Sequence, residues 1–124
     1  MPVKRRILVV DDEAGLQKLM RRHAERQGLE VLQAVTSAEG LAEAIAGKPD
    51  LILLDLHLPD GNGLELLSKL KTDPRTTSIP VVAWSGSDAA ESESEVLSAG
   101  AAAYFDKTAL EALMRKIVEL LNSK

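Results

Sequence analysis

Apolar runs alternate with helix-like stretches five times along the chain. The runs lie at Arg6 to Val10, Glu30 to Val35, Leu51 to Leu54, Val81 to Trp84 and Ala102 to Phe105. Each predicts a β-strand, and the stretches between them repeat their apolar positions at helical spacing, so the pattern is that of successive βα units. It predicts an α/β fold: a doubly wound, five-stranded parallel sheet with five helices covering both faces. The first and third runs are almost wholly apolar. That marks central strands, which have no side facing water.

Leu16, Leu19, Met20, His23 and Ala24 give the first helix its inner stripe, and Gly28 stops it. Thr36-Ser37-Ala38-Glu39 reads as a capping box opening a second helix that ends at Gly47 before Lys48-Pro49. A third helix is expected from about Gly63 to Thr72, closed ahead of Asp73-Pro74 by the restriction that proline places on its predecessor. Asp88-Ala89-Ala90-Glu91 resembles a fourth cap, but its helix offers the core only Val96, Leu97 and small residues and should be loosely held. Thr108 and Glu111 form a capping box for the fifth helix, whose stripe is Leu110, Leu113, Met114, Ile117, Val118 and Leu121. The stripe reads as core rather than as a partner surface.

The chemistry gathers where strands end. Asp11 and Asp12 follow the first, Asp55 the third and Ser85 the fourth, and Lys107 lies two residues past Phe105. In an open parallel sheet, ligands bind beyond the carboxyl ends of the strands where strand order reverses. If the first and third strands are neighbours, three carboxylates meet at one edge. Such a cluster repels itself unless a cation binds or a carboxyl stays protonated. Taken singly, each residue has an ordinary reading: Asp11 and Asp12 as a helix cap, Asp55 as a turn cap, Ser85-Gly86 as a turn, Lys107 as an exposed lysine. Their agreement in one place favours a site.

Composition narrows the class. The 124 residues suit one domain, spanning 1–124, with no output domain expected. With one residue each of Trp, Tyr and Phe, aliphatic packing must build the core. No cysteine is present, so neither a disulfide framework nor a thiolate metal site is available, and a cytoplasmic location is the default. No apolar run approaches the roughly 18 residues that span a bilayer, which argues against a membrane role. A net charge of -4 argues against direct nucleic-acid binding.

Val9-Val10-Asp11-Asp12-Glu13, Leu53-Leu54-Asp55-Leu56-His57-Leu58-Pro59-Asp60-Gly61, Ser85 and Lys107, in this order and strand context, resemble the receiver domain of two-component response regulators. The resemblance covers essentially the whole chain and implies the flavodoxin-like receiver topology. It implies that Asp55 accepts a phosphoryl group from a sensor histidine kinase or histidine phosphotransfer protein. It also implies Mg²⁺, which Mn²⁺ could replace, bound by Asp12, Asp55 and the His57 carbonyl, with Asp11 acting mainly through metal-bound water. Lys107 would pair with Asp55 and then with a phosphoryl oxygen. Ser85 would be the sensing hydroxyl and Tyr104 the aromatic switch, turning inward to reshape the surface seen by a downstream target protein.

Two positions depart from the family pattern. Thr108 stands where members generally have proline, often in a cis bond; a non-proline cis bond costs about 2.5 to 4 kcal/mol, so a trans peptide is expected. The fourth helix is unusually acidic, which suits a partner that is not. Of the histidines, His23 reads as packing at the core edge, whereas His57 could overhang the acceptor or simply be exposed. An interaction-only receiver is a rival reading, but its usual mark is a broken acidic site. A phosphohydrolase resembling the haloacid dehalogenase group is another, but it needs a second aspartate two residues past the nucleophile, where His57 stands. The chain is therefore expected to catalyse only its own phosphorylation and dephosphorylation.

Overall fold

The computed structural model describes residues 4–86 and 93–122. Five parallel strands form the main sheet: β1 (Arg6–Val10), β2 (Glu30–Ala34), β3 (Leu51–Asp55), β6 (Val81–Ser85) and β7 (Ala103–Asp106), in the order β2-β1-β3-β6-β7. A small antiparallel ribbon, β4 (His57–Leu58) with β5 (Gly61–Asn62), follows β3. The helices are α1 (Ala14–Arg26), α2 (Ser37–Gly47), α3 (Gly63–Thr72), α4 (Glu93–Ser98) and α5 (Leu110–Asn122). The expected doubly wound architecture is present.

Alternation along the strands splits the core in two. Leu8, Val10, Ile52, Leu54, Val81 and Ala83 face one layer with Leu66, Leu67 and Leu70 of α3 and Val96 of α4. Ile7, Val9, Leu51, Leu53, Val82 and Trp84 face the other with Met20 of α1 and Leu113, Ile117 and Leu121 of α5. Full burial of such a side chain is worth about 1.5 to 3 kcal/mol. The central strands β1 and β3 carry the largest share, with Ile7 to Val10 and Leu51 to Leu54 all inaccessible to water.

Several boundaries differ from the sequence reading. β2 stops at Ala34 because the Val35 N–H donates to Glu39 Oε1 at 3.1 Å, leaving Val35 43% exposed. The α2 box is thus shifted: Thr36 Oγ1 accepts from Glu39 N, but Glu39 reaches back to Val35 rather than to Thr36. β3 and β6 each run one residue further, taking in Asp55 and Ser85 themselves, and β7 begins at Ala103. Leu97 is 41% exposed, so α4 anchors through Val96. The cap expected at Asp88 to Glu91 lies outside the described residues.

Thr108 does not cap α5 as expected. Its hydroxyl and its N–H both bond Asp106 Oδ1, at 2.7 and 2.8 Å, and the helix begins only at Leu110. A hydroxyl committed to a turn behind it is not offered to the helix ahead. Every peptide bond among the described residues is trans, Lys107–Thr108 included. Along the α5 stripe, Leu113, Ile117 and Leu121 are buried, whereas Leu110, Met114 and Val118 are only half-buried beside α1.

Candidate functional site

The register of the sheet assembles the site. Val10 pairs with Leu54, so Asp11, one residue beyond, comes beside Asp55. Asp55 pairs with Trp84 and Ser85 with Asp106, which brings Ser85 and Lys107 to the same edge. Lys107 N donates to Ser85 O at 2.9 Å, prolonging the β6–β7 ladder by one bond and fixing where the lysine side chain begins. A one-residue slip of any strand would turn these side chains to the wrong face.

Asp11 and Asp55 are buried, whereas Asp12 is exposed. Oxygens of all three lie within 4.8 Å of one another. Lys107 Nζ sits among the carboxylates, 3.0 Å from Asp11 Oδ2, 3.1 Å from Glu13 Oε1 and 3.2 Å from Asp55 Oδ2. It also lies 5.2 Å from the centre of the Trp84 ring, near enough for a cation–π contact. The other oxygens of the buried pair are held by main chain: Glu13 N donates to Asp11 Oδ1 at 2.9 Å, and His57 N to Asp55 Oδ1 at 3.0 Å.

Burial pushes the Asp11 carboxyl above its ordinary range, against the Glu13 N–H, with the Asp55 charge adding to the rise. Burial raises Asp55 in the same way, against the His57 N–H and the Lys107 charge. Burial also pulls on Lys107, but its bonds to Asp11 and Glu13 and the charges of Asp11 and Asp55 outweigh that and hold the ammonium protonated. Four carboxylates, Asp11, Asp12, Glu13 and Asp55, thus face one ammonium. An excess of negative charge carried on oxygen donors fits a hard divalent cation of the Mg²⁺ or Mn²⁺ type.

The helix-cap reading of the aspartate pair is not what the structure has. The α1 cap position is Glu13, which makes no side-chain capping bond, and Asp11 Oδ1 accepts from the Glu13 N–H two residues ahead, before the helix begins. Ser85 Oγ and Tyr104 OH are 2.5 Å apart, so these two positions are in direct contact. Tyr104 is half-buried and already directed inward. His57 is exposed, and His23 is half-buried where α1 meets α5.

Three contributors escaped the sequence reading. Glu13 shares Lys107; adjacency to the aspartate pair was its only signal. Gln17 is buried, and its Nε2 donates to Val9 O, Asp11 O and Ala34 O at 3.0, 2.9 and 3.1 Å, tying the ends of β1 and β2 beneath the carboxylates. A glutamine one turn before Met20 on the inward stripe was a detectable sign. Asp60 accepts from Ser37 N at 2.7 Å and Ala38 N at 3.1 Å, joining the loop after Asp55 to the start of α2.

The response regulator receiver domain model matches residues 7–119 of the chain. The KDP operon transcriptional regulatory protein KdpE of Escherichia coli is 38% identical over 101 residues, which are 82% of this chain but 44% of KdpE. The chain thus spans less than half of that regulator. The polar-differentiation response regulator DivK of Brucella anthropi is 34% identical over 82% of each chain. Among solved structures, a CheY-like receiver domain protein from Methanospirillum hungatei superposes with a TM-score of 0.88 at 34% identity, covering 98% of this chain and 96% of the other.

Proposed function

Because the chain belongs to the response regulator receiver domain family, we propose that Asp55 accepts a phosphoryl group from a sensor histidine kinase or a histidine phosphotransfer protein and so changes a partner-binding surface. The observation that carries this reading is the placement of Lys107 Nζ 3.2 Å from Asp55 Oδ2 beside two further aspartates. An acceptor carboxylate, a fixed cation and spare anionic oxygens are the parts that phosphoryl transfer requires.

Asp12, Asp55 and the His57 carbonyl would hold Mg²⁺ or Mn²⁺, with Asp11 supporting. Bound there, the metal supplies charge neutralisation between an anionic acceptor and an anionic donor. The chain's own groups do the rest. His57 N–H fixes one Asp55 oxygen and Lys107 touches the other, so the carboxylate is oriented for attack, and both contacts oppose the burial that favours its protonated form. As a carboxylate oxygen bonds to phosphorus, the donor's bond to phosphorus breaks, and the Lys107 ammonium meets charge developing on the phosphoryl oxygens. Ser85 would then exchange its Tyr104 partner for a phosphoryl oxygen. That difference between states is what shifts the surface.

The reading makes the chain a cytoplasmic signalling acceptor that turns over only its own phosphoryl group. Its downstream partner would be a protein. Direct contact with nucleic acid is not assigned to these residues, whose net charge of -4 opposes a phosphate backbone.

The test is incubation with Mg²⁺ and a small acyl phosphate, followed by intact-mass measurement. One phosphoryl group should add to the wild type and none to Asp55→Asn. No addition, or addition that persists in Asp55→Asn, would overturn the assignment.

A further inference from the structure

The loop after Asp55 is held at two points. At its base, Gly63 N donates to Leu56 O at 3.0 Å and Asn62 Oδ1 accepts from Leu64 N at 2.8 Å, so α3 starts against the loop's own backbone. In between, His57 pairs with Asn62 and Leu58 with Gly61 in the β4–β5 ribbon. At its tip, Asp60 leaves the ribbon altogether. Its two carboxylate oxygens accept from Ser37 N and Ala38 N, the first two N–H groups of α2.

α2 does not depend on Asp60 alone for capping. Thr36 Oγ1 already accepts from Glu39 N at 3.1 Å, and Glu39 lies in the first turn, where its charge complements the helix dipole. Asp60 accepts from the two donors that Thr36 leaves, from a segment more than twenty positions away in sequence. The Ser37 and Ala38 N–H groups hold its carboxyl below the ordinary range, so the anion is present at neutral pH. A carboxylate that bridges two elements restrains both, and the element with less structure of its own gains more. The ribbon has two residues per strand, whereas α2 has eleven residues.

We infer that Asp60 is a positioning residue for the acceptor site: by clamping the ribbon tip to α2, it fixes the His57 segment that steadies Asp55 and would lend its carbonyl to the metal. This rests on the phosphoacceptor reading. Asp60 touches none of the reacting groups and acts through His57, whose N–H is bonded to Asp55 Oδ1. Groups bonded directly to metal ligands typically change metal affinity about 10- to 100-fold when removed, and Asp60, one step further out, should act at the low end of that range.

Thr36→Ala separates this role from simple helix capping, because it removes an α2 cap without touching the ribbon. Two measurements apply: Mg²⁺ titration followed by Trp84 fluorescence, and amide hydrogen exchange over 57–62 in metal-free protein. Asp60→Ala should weaken Mg²⁺ binding about tenfold and lower protection over 57–62. Asp60→Asn, which keeps an acceptor oxygen for Ser37 N, should recover most of both. Thr36→Ala should leave both at wild-type values while lowering thermal stability. Unchanged protection in Asp60→Ala, or an equal loss of protection and affinity in Thr36→Ala, would overturn the inference. If wild-type protein itself binds no Mg²⁺, the functional reading fails, and the exchange measurement alone still decides whether Asp60 clamps the loop.

Discussion

Ser85 and Tyr104 share a hydrogen bond of 2.5 Å across the β6–β7 edge, so the two positions expected to report phosphorylation are already coupled to each other. A hydroxyl has one proton to donate. If the Ser85 proton serves Tyr104, it must be redirected before it can serve a phosphoryl oxygen, and if Tyr104 donates, Ser85 is already free to turn its own. Tyr104→Phe removes the partner and should cost about 1 kcal/mol of stability, the usual net value of such a bond. The same variant should still accept a phosphoryl group but show a smaller hydrogen-exchange response in β7. Urea denaturation and exchange before and after phosphorylation check the two halves.

Asp55→Asn should stabilise the metal-free protein, and more so as pH rises. Asp55 has a folded-state pKa above the unfolded value of 3.8, so between that value and its raised one the native state keeps a proton that the unfolded chain releases. Stability associated with Asp55 is therefore full below 3.8 and declines as pH climbs through the raised value. Replacement by asparagine removes the decline. Urea midpoints of both proteins in chelator from about pH 4 to about pH 7 should diverge upward in favour of the variant. A constant difference across that range would contradict the burial argument.

Added Mg²⁺ should reverse that ranking. A ligand that binds only the native state stabilises by about 2.7 kcal/mol when present at a hundred times its dissociation constant. Wild-type protein should gain this at saturation, and Asp55→Asn much less, since it lacks one of the clustered carboxylates. Thermal melts with and without the metal provide the comparison.

Trp84 is the chain's single tryptophan, and the Lys107 ammonium lies 5.2 Å from its ring centre. Positive charge entering among the carboxylates weakens their hold on Lys107. Trp84 emission should therefore change on Mg²⁺ addition, and the Mg²⁺-dependent change should be much reduced in Lys107→Met. The same variant should bind Mg²⁺ more tightly than wild type, because the competing cation has gone.

Gly63→Ala should be damaging although the residue stands in a helix. A Cβ there would come within 2.6 Å of Leu56 Cα and 2.7 Å of Asp55 O, both main-chain atoms that cannot rotate away. Overpacking of this kind costs about 1 to 3 kcal/mol. The displaced backbone is that of Asp55 and Leu56, so Mg²⁺ affinity should fall together with stability.

The strands and the positions of the candidate site residues were legible because β1 and β3 are buried on both faces, which writes them into the sequence as unbroken apolar runs ended by acids. Asp11, Asp55, Ser85 and Lys107 needed only strand ends to be placed. The contributions of Gln17, Glu13 and Asp60 were not legible in the same way, since each depends on a contact across the fold: Gln17 on the end of β2, Glu13 on a lysine 94 positions later, Asp60 on the start of α2. Thr108 misled because its neighbour Asp106 offers a nearer acceptor than the helix offers a donor. Local pattern gives a residue its direction, but competing partners decide which bond it makes.

The order of strands in the sheet also divides the site along the chain. Everything before the loop at 73–80 supplies β2-β1-β3 and the carboxylates; everything after it supplies β6-β7 with Ser85, Tyr104 and Lys107. The seam between these halves is the β3–β6 pairing, where Asp55 sits opposite Trp84. Two polypeptides cut within 73–80 would each lack a working site, one being all anion and the other holding the hydroxyl and the cation. Their reassembly would bring Lys107 back to Asp55 and restore the tryptophan environment together, making the domain a natural subject for fragment complementation.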